Sequence, residues 1–126
     1  MSKAARSVVT ARARELVAAL RATPAIERFR AAEERFQTDT ELARMQAGLR
    51  WSQERLQQAK LEIRHDPRLF REVRDAQAQF QKHPVVVEFV AARAAAQDLL
   101  RRTNAAMTEV LGVDVGASAG RAGGCC

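Results

Sequence analysis

Three prolines fix where helices can begin in this chain. Proline holds φ near about −65° and has no N–H to donate, so it fits the first helical position behind a capping residue. Thr23-Pro24 and Asp66-Pro67 are pairs of this kind, and His83-Pro84 is a less ideal one. Thr38 and Glu41 add a capping-box spacing, and Gly112 reads as a helix stop. Between these marks the apolar residues recur in steps of three and four, the period of a helix with one buried face.

That period predicts five helices. A first over 8–22 aligns Val9, Ala13, Leu16, Val17 and Leu20, and a second over 24–37 aligns Ile26, Phe29, Ala32 and Phe36. A third, over about 40–64, carries Leu42, Met45, Leu49, Ser52, Leu56, Ala59 and Ile63 as a coiled-coil-like seam with one polar position. A fourth over 67–81 turns Leu69, Phe70, Val73, Ala76 and Phe80 inward. A fifth over 84–111 steps through Phe89, Ala92, Ala96, Leu99, Thr103, Ala106 and Val110. The fold class is all-α: two long helices (about 40–64 and 84–111) and three shorter ones in an antiparallel helical bundle. Residues 1–7 are expected to be disordered, 8–112 to form one helical domain, and 113–126 to be a flexible Gly/Ala/Cys tail. Five of the six glycines lie from Gly112 onward.

A weak internal echo runs through this division. Phe36-Gln37 precedes one long helix, and Phe80-Gln81 precedes the other 44 residues later. Duplication and convergence of two helical hairpins both account for it.

Composition excludes several classes. Alanine, leucine, valine and five phenylalanines, with no tyrosine, suit close-packed helices better than a twisted sheet. No window holds the roughly 18 consecutive apolar residues of a spanning helix, so no membrane insertion is expected. The first fourteen residues have no apolar core of a signal peptide, and a cytoplasmic location is expected. Net charge is +6, of which residues 1–36 hold +4. That basic third would suit an acidic partner or nucleic acid. Arginine outnumbers lysine 18 to 3 in an alanine-rich chain, which looks like coding bias and weakens an argument from arginine alone.

Catalytic chemistry is hard to find. Gly48 is the sole glycine before residue 112, so there is no phosphate-cradling loop. His65 and His83 sit beside proline-capped helix starts and read as turn residues, and no histidine spacing offers a metal site. The chain is read as a non-enzyme. Cys125 and Cys126 are the exception: adjacent thiols could hold a soft metal or part of an iron–sulfur cluster, with the remaining ligands from a second chain.

Two long seams and three short helices leave apolar surface to cover. A homodimer or hetero-oligomer would cover it, through Leu49, Trp51, Leu56, Phe89, Ala92, Ala96 and Leu99. Ala47 and Gly48 make a flat patch beside Trp51, which falls off the seam.

At this point the chain resembles the YlbF/YmcA family of small helical bacterial regulators. The resemblance rests on Ala11-Arg-Ala-Arg-Glu-Leu-Val-Ala-Ala-Leu20, on Phe29-Arg-Ala-Ala-Glu-Glu-Arg-Phe36 leading to Asp39 and Leu42, and on the long helix ending at His65-Asp-Pro67. His83-Pro-Val-Val-Val-Glu-Phe89 and a glycine-rich tail ending in cysteine complete it. The resemblance implies an oligomeric, non-enzymatic regulator that works with related helical proteins and an RNase Y-type nuclease in mRNA processing and cell-fate programmes. It also implies an iron–sulfur cluster where the tail supplies enough cysteines; here only Cys125 and Cys126 match. Three function classes follow: a protein-interaction adaptor, a basic nucleic-acid binder using Arg6, Arg12, Arg14, Arg21, Arg28, Arg30 and Arg35, and an iron–sulfur or redox sensor. No aromatic residue is interleaved with those arginines for base stacking, so direct nucleic-acid binding is the weaker reading.

Overall fold

A computed structural model describes residues 2–114. Among them are five helices and no strand: α1 (Lys3–Arg21), α2 (Pro24–Thr38), α3 (Thr40–Leu61), α4 (Pro67–Lys82) and α5 (Pro84–Leu111). The proline marks were sound. Pro24, Pro67 and Pro84 each open a helix, and Gly112, at φ 70°, stops the last one with its N–H on the Thr108 carbonyl.

Two boundaries differ from expectation by more than one residue. Residues 3–7, expected to be disordered, are helical because Ser2 Oγ accepts the Ala5 N–H at 3.1 Å and caps α1. The third helix ends at Leu61 rather than Arg64. Ile63 takes a left-handed backbone (φ 55°), its N–H bonds the Lys60 carbonyl, and the Arg64 N–H reaches back to Ala59. That hydrogen-bond pair is a Schellman cap, which satisfies the last carbonyls and stops the helix.

The described residues also gather into two compact units rather than the one expected. The first is Arg28–Ala92. In it α3 and α4 form an antiparallel hairpin: Ser52 meets Glu72 at mid-length, while Ala59 and Leu69 line one groove near the turn. The seam on α3 follows its sequence pattern through Leu42, Ser52 and Ala59, all buried, and fails only past the new helix end. On α4, Leu69 and Val73 are buried as expected, but Phe70 is not: it is 42% exposed, with the Lys60 Nζ 5.4 Å above its ring.

The core of this unit lies where the two Phe-Gln turns meet. Leu42, fully buried, packs with Val85 and Val86, and Phe36 and Phe80 close over them. The two phenylalanines of the echo are thus neighbours, edge to face at 6.2 Å between centroids.

The second unit combines the chain before Arg28 with the chain after Ala92. Its α1 has no buried residue; Val8, Val9, Leu16 and Val17 are all exposed. Further along α5, Ala96 is buried and Leu99 half-buried, but Leu100, Val110 and Leu111 are exposed.

Leu42→Ala should lower the unfolding free energy by about 2–5 kcal/mol in a denaturant titration, because a buried leucine leaves a cavity. Val87→Ala, one residue from the same core but facing solvent, should change it by less than about 0.5 kcal/mol.

Candidate interaction surface

The first unit is closed at α2 and α5 by an aromatic stack and an ion pair. Phe89 lies 4.6 Å from Phe36 and 5.8 Å from Phe29, centroid to centroid. Next to Phe29 on α2, Arg28 donates from Nε and Nη2 to the two carboxylate oxygens of Glu88, at 2.7 and 3.1 Å. This fork-to-fork geometry is the strong form of the arginine–carboxylate pair. Hydrogen bonding by Arg28 holds the Glu88 carboxyl below its usual range, and the same bond raises the Arg28 guanidinium.

The α3–α4 hairpin carries a groove. Ser52 Oγ donates to Glu72 at 3.3 Å, and Arg55 Nη1 donates to both oxygens of the same carboxylate at 3.2 Å. The polar position of the α3 seam is therefore satisfied by α4. The Arg55 guanidinium also lies 4.6 Å over the Trp51 ring, a cation–π contact that holds the indole at the surface, 58% exposed. Beside it is a shallow hollow of about 420 Å³, lined by Met45, Gly48, Leu49, Trp51 and Ala76 among others. A methyl group built on Gly48 would meet nothing within 4 Å. This glycine is open space rather than a close contact.

A third cluster brings Asp39, Glu41 and His83 together, with ligand atoms all within 4.8 Å of one another. No spacing along the chain signals it, since the histidine lies 42 residues from the glutamate. Metal binding through the imidazole has an obstacle here. The Val85 N–H donates to His83 Nδ1 at 3.2 Å, which places the ring proton on Nε2, facing Glu41 Oε2 at 3.4 Å. Asp39 Oδ1 is engaged as well, capping α3 through the Leu42 N–H at 2.8 Å. The cluster works as a pair of helix caps joined by a hydrogen bond.

The residues expected at an interface fall in four different surroundings. Trp51 is exposed and Leu49 lines the groove beside it; Leu56, half-buried, lies on the same helix. Phe89 is engaged in the aromatic stack. Ala92 and Ala96 are buried within the single chain. Leu99 is half-buried. Cys125 and Cys126, expected to bind a metal or cluster, lie outside the described residues. Sequence reasoning missed the Arg28–Glu88 clamp, whose partners are 60 residues apart with no local signal to join them.

The described residues thus combine an all-helical fold with a shallow hollow beside Trp51 and exposed apolar side chains on α1 and α5. The comparison of families is specific: the model described as "Control of competence regulator ComK, YlbF/YmcA" matches residues 9–111. The chain belongs to the YlbF/YmcA family, a family of regulators. Neither the curated proteins nor the solved structures hold a match to it. No helix among the described residues is long and apolar enough to cross a membrane.

Two measurements check this geometry. The bond to Arg28 favours ionised Glu88, so the stabilisation is complete above the ordinary glutamate value of 4.5 and is lost as pH falls through the lower folded value. The stability gap between the parent and Glu88→Gln should therefore be full at neutral pH and close in acid. Gly48→Ala should raise the thermal midpoint, with a gain of up to about 1 kcal/mol, since a helical glycine is replaced without a clash.

Proposed function

We propose that this YlbF/YmcA-family protein is a non-enzymatic adaptor. It assembles with a second copy or with related helical proteins, and that assembly modulates mRNA processing by an RNase Y-type nuclease. The observation that carries this reading is the second unit. Its helices are amphipathic, yet Val8, Val9, Leu16 and Val17 on α1 and Leu100, Val110 and Leu111 on α5 remain exposed. Amphipathic helices gain most of their stability by burying the apolar stripe, so a surface of this kind calls for a partner with a matching one. The nuclease link and the cell-fate role come from the family resemblance.

The test is sedimentation of the purified chain at micromolar concentration, paired with retention of an RNase Y-type nuclease on the immobilised protein. The parent should sediment above the mass of one chain and retain the nuclease. Leu16→Glu with Val17→Glu should shift it to a monomer and release the nuclease. A monomeric parent that retains no nuclease but shifts RNA in a gel would replace the adaptor with the nucleic-acid reading.

A further inference from the structure

The α3–α4 turn holds a residue that local stability alone would not place there. Ile63 occupies the left-handed position of the Schellman cap, where glycine is usual because it has no Cβ to clash. A β-branched residue is among the least suited to that backbone. Its side chain gains nothing from the fold in return, being 93% exposed. Leu61, the last residue of α3, is 76% exposed beside it. Two aliphatic side chains thus stand at the apex of a helical hairpin, one of them held in a strained conformation.

The charge around the apex has one sign to spare. Residues 60–71 contain four basic and two acidic side chains. Both acids are occupied: Glu62 pairs with Arg64 at 2.7 Å, and Asp66 caps α4 by accepting the Arg68 N–H at 3.0 Å. The Lys60 ammonium rests on the Phe70 ring, and the Arg68 and Arg71 side chains have no ion pair among the described residues. Lys60, Arg68 and Arg71 therefore form a basic shoulder within about one helical turn of the apex.

We propose that this turn docks on an anionic phospholipid surface, with Ile63 and Leu61 entering the boundary between headgroups and acyl chains and Lys60, Arg68 and Arg71 facing the lipid phosphates. The proposal goes beyond the adaptor reading and does not depend on it. An apex with two exposed apolar side chains is far short of the roughly twenty residues a side of a stable protein interface. A lipid surface asks only for a few exposed apolar side chains flanked by cations, and it needs no matching pocket. No spanning helix is needed.

Co-sedimentation of the full chain with vesicles tests this. One set is phosphatidylglycerol mixed equally with phosphatidylcholine, and the other is phosphatidylcholine alone. The parent should pellet with the anionic vesicles, less so as salt rises, and stay in solution with the neutral ones. Ile63→Gly should weaken vesicle binding about tenfold, as expected for withdrawing a large aliphatic side chain from an apolar phase. Its thermal midpoint should hold or rise, because the strained backbone is relieved. Joint replacement of Lys60, Arg68 and Arg71 by Gln should abolish the preference for anionic vesicles. Equal binding by the parent and Ile63→Gly would assign vesicle affinity to basic residues elsewhere, such as those of α1, and overturn the proposal. So would a parent that binds neither vesicle set, or that is captured only by an acidic protein.

Discussion

The first unit depends on the packing of Leu42 against Val85 and Val86. These three side chains come from the opening turns of α3 and α5, so their contact fixes where both long helices start. Everything adjacent reinforces that start. Asp39 and His83 cap the two helices, and Glu41 and His83 join the caps. Phe36 and Phe80, each ending the preceding short helix, roof the contact. Hydrophobic burial supplies the attraction, and the capping bonds give the Leu42 and Val85 N–H groups acceptors beside it.

Most of the fold was legible because its signals are local. Proline fixes a backbone angle, a capping side chain reaches three residues, and an apolar stripe repeats every turn; all of these can be read along a chain. The period located Leu42, Ala32, Val73 and Ala92, and all are buried. It failed at Ile63 for an instructive reason. The apolar step continues through that residue, but the helix ends two residues earlier, and a pattern of side chains does not reveal where carbonyls find alternative partners. Phe70 misled for a different reason: it lies in the first turn of α4 beside the α3–α4 turn, where its ring meets Lys60 and His65 and stays exposed.

The surface was less legible than the core. Trp51 stood out as an aromatic residue off the seam, and it is exposed. What keeps it there, stacking by an arginine that also bridges to Glu72, requires two helices to be side by side. The Arg28–Glu88 clamp and the Glu41–His83 bond are of the same kind. Each joins residues distant in sequence, and neither partner is unusual in its own neighbourhood. The echo of Phe-Gln turns was the one long-range hint in the sequence, and it marked the place where those segments pack together.

The aromatic inventory has a spectroscopic consequence. The chain has one tryptophan and no tyrosine, and its phenylalanines absorb and emit only weakly. Nearly all of its ultraviolet emission therefore originates from one indole on the outer face of α3, bordering the hollow at Gly48. The Phe-lined core is almost dark. Anything seated in that hollow would displace water from the sole emitter, so the unlabelled protein carries its own optical report on this face of α3.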